Sequence, residues 1–331
     1  MLRPSCFQQR LHFNFRHLNF DNLFYTNICI TFRYFSYLSQ SKAKRKRINE
    51  LIMIFLTNFY KNHKLAFFSS FFIFGLVFLA LVTPIISPYS YSEQNLLLGA
   101  SPPSTDYMLG TDVLGRDLFT RMLYGSRVSL LVGFLATLVA LTIGVLWGSI
   151  AGYLGGRTDS IMMRIVDILD GLPFVIFLIL ILVIIGRSMT LLFLAIGAFG
   201  WLSMARIVRV QVLGLRRQDY VLAAQSMGAS NFRILFRHII PNVLSSVIVY
   251  STLLIPQFML LEAFLSFLGL GVQPPESSWG ILIREGAITM EEYWWLLIFP
   301  SIVFSLTLFA LNFLGDGLRD YLDPRKTQQL S

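Results

Sequence analysis

Asp219 to Asn242 reads DYVLAAQSMGASNFRILFRHIIPN, a polar and basic island set between two long apolar runs. Tyr220, Ala223, Ala224 and Met227 recur at helical spacing, and after a Gly228-Ala229-Ser230 break the apolar positions resume at Phe232, Leu235, Phe236 and Ile239. The pattern predicts two short amphipathic helices. Ser230 is suited to cap the second with its hydroxyl, and Gly228 to the turn between them. Pro241 should open the next long helix, where a missing N–H costs least. One face of the pair is expected to rest on membrane helices, leaving Gln225, Ser226, Asn231, Arg233 and Arg237 exposed to a partner.

Outward from this island the chain is too apolar for a soluble domain. Of its 331 residues 55% are hydrophobic and 14% charged, and mean hydropathy is positive. Runs of roughly 20 apolar residues recur, each long enough for the ~30 Å hydrocarbon core of a bilayer. Spans are expected over 65–86, 128–151, 172–185, 190–208, 243–270 and 296–314, which defines an all-α polytopic protein with six transmembrane helices. The second is rich in small residues at spacings of four (Gly133, Ala136, Ala140, Gly144, Gly148), a pattern that lets helices approach closely in lipid.

The net charge of +9 would suit a nucleic-acid binder, but the basic residues cluster in alternate loops. With the N-terminus inside, the cytoplasmic segments from residue 42 onward hold 18 Lys and Arg and the external segments 5. Membrane orientation therefore accounts for the charge, with no nucleic acid required and both termini cytoplasmic. Residues 1–64 form a basic N-terminal extension ending in lysines and arginines beside the first span; 1–50 are expected to be disordered or to follow from an early start codon, with Met53 the true start. Residues 65–127 hold the first span and an external loop, 128–317 the transmembrane core, and 318–331 a cytoplasmic tail. Cys6 and Cys29 have neither metal-ligand spacing nor the numbers for a disulfide framework.

Several reactive patterns are near misses. Gly110, Gly115, Arg116 and Asp117 approach a phosphate-binding loop, but the Lys and Ser/Thr that would hold phosphate and magnesium are lacking. Asp112 with Arg116 is better read as a turn held by local pairing. No span carries a His-x-x-x-His pair, a Gly-x-Ser-x-Gly turn or a cysteine, which argues against an intramembrane enzyme. Glu262 lies inside the fifth span near Gln257, where an unpaired carboxylate costs at least ~2.5 kcal/mol. It can line a translocation path or bond a neighbouring helix. An ion-coupled carrier using Glu262, Asp167 or Asp170 is the alternative function.

Particular motifs narrow this further. Ala223-Ala224, Gly228 and Pro241 in that order resemble the coupling loop of binding-protein-dependent ABC importer permeases, with Leu222 where that family carries Glu and His238 where many members are aliphatic. Leu109 to Asp117, Leu123 to Leu130, Gly200-Trp201 with Ala205 to Arg209, Glu262 to Gly271 with Gln273-Pro274-Pro275 and Ser278-Trp279-Gly280, and Gly315 to Arg325 are similar to the dipeptide/oligopeptide/nickel branch, in its second-permease form. The resemblance runs from residue 65 to the C-terminus. It implies the type I ABC permease fold in the bacterial inner membrane. It implies as partners a homologous permease, two cytosolic ATPase subunits and an extracytoplasmic binding protein, with peptides or nickel chelates as cargo. It also implies that ATP and magnesium are used by the ATPases, this chain binding no cofactor, and that Ala223, Ala224, Gly228, Ala229, Arg233, Arg237, His238 and Pro241 form the coupling surface.

Overall fold

Lipid offers backbone groups no hydrogen-bond partner, so apolar runs of this length must satisfy themselves as helices. The computed structural model bears this out over the residues it describes, 64–322 apart from Arg187 and Pro274. The basic extension, both cysteines, Met53 and most of the C-terminal tail lie outside them. Among the described residues there are ten α-helices and no strand. They are α1 (Lys64–Ile86), α2 (Leu118–Leu154), α3 (Gly156–Asp170), α4 (Phe174–Ile185), α5 (Met189–Leu215), α6 (Asp219–Ser226), α7 (Asn231–Ile234), α8 (Ile240–Phe267), α9 (Trp279–Ile288) and α10 (Trp295–Leu322).

Five of these, α1, α2, α5, α8 and α10, are long and apolar enough to cross a bilayer. The expected third span differs. At 12 residues α4 reaches only about 18 Å, short of the ~30 Å needed. It is joined to α3 across a 76° bend at Gly171-Leu172-Pro173, so the sixth crossing is broken. The stretch 153–170, expected as mostly loop, is nearly all helix, its apolar residues interleaved with charged ones at helical spacing.

Two other expectations need correction. The second span begins at Leu118 rather than Val128: Asp117 caps it, accepting from the Thr120 N–H at 2.8 Å and from the Thr120 hydroxyl at 2.6 Å. The segment 271–292 is no open loop but carries α9, wedged against α2, α8 and α10 with Trp279 fully buried. Beside it Trp295 is buried, and its Nε1 donates to the Thr111 carbonyl at 3.3 Å.

The packing follows the small residues. A Cβ on Gly148 would lie 2.8 Å from the Cβ of Val208 and 3.0 Å from the Arg209 nitrogen, so α2 and α5 meet almost backbone to backbone. Three apolar clusters result. One joins α2, α4, α5 and α8; one lies under α6 and α7; one gathers α1, α9 and α10 around the start of α2. Pro84, inside α1, leaves the Ala80 carbonyl without its helical N–H donor. Arg127 of α2 supplies one from its Nε, and its Nη2 reaches the Leu81 carbonyl at 3.0 Å.

Candidate functional site

The coupling stretch forms the predicted pair of short helices, with two differences. Met227-Gly228-Ala229 turns the chain between α6 and α7, and Gly228 takes φ +79°, a conformation side chains resist. A Cβ there would meet nothing within 4 Å. Ser230 caps α7 as expected, its hydroxyl accepting from the Arg233 N–H at 3.4 Å. After one turn, however, α7 passes through a wider π-type turn, Leu235–Ile239, straight into α8. The Ile240 N–H bonds the carbonyl of Leu235, five residues back. The widened turn accommodates Pro241, whose ring would otherwise press on a carbonyl four residues earlier. Pro241 thus sits in a continuous rod from Asn231 to Phe267 rather than opening a separate helix.

The second difference is which face is buried. Val221, Ala224, Ile234, Leu235 and Ile239 pack on α2, α5 and α8. Tyr220, Leu222, Met227, Phe232 and Phe236 face outward, Met227 at 81% and Phe232 at 71% exposure. The Phe232 and Phe236 rings lie 4.4 Å apart. Ala223, Arg233 and Arg237 are exposed beside them; Ala229 and His238 are half-buried. Gln225, Ser226, Asn231, Arg233 and Arg237 are exposed as expected, but they share the outward surface with these large apolar side chains, which the expectation left out. Tyr153 steadies it from α2, donating to Asn231 Oδ1 at 3.0 Å.

Just above the loop, acids of α3 meet arginines of α5. Arg209 forks onto Asp159, Nε to Oδ1 and Nη2 to Oδ2 both at 2.5 Å. Arg206, one turn earlier, donates to Asp170 at 2.9 Å and to Asp167 at 3.1 Å. The two carboxylates considered for ion coupling are thus both paired with one guanidinium.

Glu262 is fully buried within the chain. Its oxygens accept from Ser129 Oγ of α2 at 3.0 Å and from Ser266 Oγ, one turn along α8, at 2.7 Å. The Trp279 N–H, at the start of α9, donates to Ser129 Oγ at 3.2 Å, and Ser278 Oγ stands 3.3 Å from Ser266 Oγ. The carboxylate ties three helices together and presents no surface to a path. Gln257, by contrast, is an exposed polar side chain in the middle of α8.

At the opposite end the external motif closes into a knot. Gly110 and Gly115 take positive φ around Asp112. Asp112 Oδ1 accepts from the Leu114 and Arg116 backbone N–H groups, and Oδ2 from Arg116 Nε at 2.6 Å and Arg121 Nη1 at 2.5 Å. Arg121 also holds Glu285 of α9 at 2.6 Å. The local pairing expected of Asp112 is present, and Arg121 and Glu285 extend it across the fold. Glu285 thus belongs to this knot.

A multi-span helical core with an amphipathic, basic loop at one end and a capped loop at the other defines a multi-pass helical membrane protein. Residues 144–328 match the family of binding-protein-dependent transport system inner membrane components, and residues 57–103 match the N-terminal TM domain of oligopeptide transport permease C. The chain belongs to the first of these families and is a multi-pass protein of the bacterial inner membrane. It is 47% identical over 266 residues to the dipeptide transport system permease protein DppC of Bacillus subtilis (strain 168), covering 80% of this chain and 83% of that protein. It is 47% identical over 255 residues to the oligopeptide transport system permease protein OppC of Escherichia coli (strain K12), covering 76% and 84%. The OppC of Haemophilus influenzae is 48% identical over 254 residues, covering 76% and 81%.

Proposed function

We propose that this chain is one permease subunit of an ATP-driven peptide importer and that residues 219–242 receive the motion of its ATPases. The observation that carries this is the outward apolar surface of Met227, Phe232 and Phe236, standing on a turn at Gly228 and continuous with α5 and α8. Exposed large apolar patches mark interaction sites, and this one lies on the most basic side of the chain, where the charge asymmetry puts the cytosol. Both termini then lie on that side. Relatives named for dipeptides and oligopeptides support peptide cargo over a nickel chelate.

The partners are a homologous permease that completes the path, two ATPase subunits and an extracytoplasmic binding protein. ATP and magnesium belong to the ATPases; this chain binds no cofactor. Closure of the ATPases displaces the loop, and because α7 runs unbroken into α8, the push enters the membrane along a rod rather than through a flexible joint. Such a shift requires the ATPases to contact the two states of the loop differently. Gln257 is the candidate path residue, being polar and outward-facing in mid-span. No observation favours ion coupling, since Asp167 and Asp170 share Arg206 and Glu262 is enclosed by hydroxyls.

The test is recovery of the complex from solubilised membranes through a tag on this chain, with uptake measured beside it. Gly228→Asp meets no steric obstacle within the chain, so it should insert normally yet lose ATPase recovery and uptake by about tenfold or more, within the usual range for coupled sites. Normal uptake in that variant would refute the reading, as would a wild-type chain that transports alone without ATP.

A further inference from the structure

The rod into α8 explains how a push on the loop reaches the fifth crossing, but the broken crossing has no such continuity. Helix α4 follows α3 across an exposed three-residue elbow, and α3 is separated from the loop by the whole of α5. Beside the buried Val166 and the bond from Trp147 Nε1 of α2 to the Met162 carbonyl, what joins α3 to α5 is the pair of arginines. Arg206 and Arg209 lie one turn apart in the C-terminal half of α5, which ends at Leu215, and the loop begins at Asp219. Asp159 lies in the first turn of α3, and Asp167 and Asp170 in its last. The three contacts therefore hold α3 at both ends against one short stretch of α5. A helix pinned at one point can pivot; pinned at two it must follow.

The far side of the elbow is built for movement. Gly171, Leu172 and Pro173 are exposed, and Pro173 can donate no backbone hydrogen bond to stiffen the joint. A cavity opens beside it, lined by Asp170 from α3, Phe174 from α4, Phe199 and Ser203 from α5 and Phe258 from α8. The cavity reaches α4 only at Phe174; Leu178 and Leu182 further along are buried in the core shared with α2, α5 and α8, so a swing of α4 must shift those contacts.

We propose that Arg206 and Arg209 are positioning residues that lash α3 to α5, so that displacement of the coupling loop turns the Gly171–Pro173 elbow and swings α4. This rests on the loop's proposed role as the point where motion enters, but the lashing itself stands on the ion pairs alone. Arg209 matters most, because its two parallel bonds to one carboxylate fix direction as well as distance. The surface pairs of Arg206 need contribute little to stability to do this. Their work is to make two helices move as one.

The test uses the complex recovered through a tag on this chain, with Cys6 and Cys29 replaced by Ser and spin labels introduced at exposed positions. Labels at Ile161 on α3 and Val210 on α5 report the lashing without nucleotide. A narrow distance distribution is expected in the parent, a broad one in Asp159→Arg and in Arg209→Asp, and a narrow one again in the charge-swapped double variant. The milder Asp167→Asn/Asp170→Asn variant, on exposed side chains, should broaden it partially. Labels at Phe134 on α2 and Ile184 on α4 report the swing. The parent distance should shift on trapping with ATP and vanadate, the shift should vanish in either single variant, and the swap should restore it.

A distribution that stays narrow in the single variants, or a swap that fails to restore it, overturns the lashing; a parent complex with no shift overturns the swing. Gly228→Asp separates the two readings. It should keep the narrow α3–α5 distance while losing the shift. A shift that persists there counts against the loop as entry point and leaves the lashing standing on its own variants.

Discussion

The two ends of the bundle use charge in opposite ways. At the external knot, Asp112 is 2% and Arg121 2% exposed, and each carboxylate and guanidinium has several partners from elements as distant as α2 and α9. At the coupling end, the arginines of the loop are exposed, and the pairs above it, Arg206 with Asp167 and Asp170, are half open to solvent. Burying a charge is tolerable only when it is paired and fully hydrogen-bonded, so the knot has one arrangement available to it. Exposed charges and exposed rings have many. The comparison teaches that one end is a fixed frame, whereas the other is an open surface, which on the proposed function receives a second molecule.

The sharpest way to break this contrast is to remove the centre of the knot. Arg121→Met keeps length and packing but leaves Asp112 with Arg116 alone and Glu285 short of its closest partner. Breaking a buried ion network this way costs about 3–5 kcal/mol. It should appear as a lowered thermal unfolding midpoint of the detergent-solubilised chain. A loss under about 1 kcal/mol would mean that the knot behaves like the surface pairs at the other end, and the contrast would fall.

That network also marks where sequence reading stops. The spans were legible because lipid leaves an apolar run of this length a single fate. The turn around Asp112 was legible because Gly110, Gly115, Arg116 and Asp117 lie within a few residues of it. Arg121 and Glu285 were not, since they are 164 residues apart and nothing local to either announces the other. Helix α9 was missed for a related reason: its ten residues are too short for a clear period, and its apolar side chains are buried by α8 and α10 rather than by lipid. The coupling helices show a third limit. Tyr220, Val221, Leu222, Ala223 and Ala224 are consecutive, so an eight-residue helix built from them has apolar groups all round, and periodicity cannot choose the buried face. Packing chose Val221 and Ala224, leaving Tyr220 and Leu222 outside.

A smaller effect tests the middle of the bundle, where Glu262 is enclosed like the knot but partnered only by neutral groups. Because the Trp279 N–H occupies an acceptor site on Ser129 Oγ, that hydroxyl is left to donate to Glu262, and the chain of bonds is directional. Glu262→Leu removes the acceptor of the Ser129 and Ser266 hydroxyls, which still accept from the Trp279 N–H and from Ser278 Oγ, at about 1–3 kcal/mol for a buried unsatisfied donor. Glu262→Gln retains a carbonyl acceptor for one of them and should lose less. Equal losses in the thermal midpoint would show that the side chain fills space rather than joining α2, α8 and α9.

The loop itself should respond least in stability. Gly228→Ala adds a methyl group to open space and is opposed only by the backbone, at about 1–2 kcal/mol for a left-handed residue with a Cβ.

Met227→Ser and Phe232→Ser should fall within about 0.5 kcal/mol of the parent, as exposed substitutions do. If these side chains were packed against lipid or against the chain, their loss would lower the unfolding midpoint. If they form the centre of a contact with another subunit, the midpoint stays and the co-recovered subunit is lost instead, since a few large side chains carry most of the energy of such contacts. The variants therefore separate a surface that supports the fold from one that the fold supports: an unchanged midpoint with lost partner recovery assigns Met227 and Phe232 to the second kind, and a lowered midpoint with the partner retained assigns them to the first.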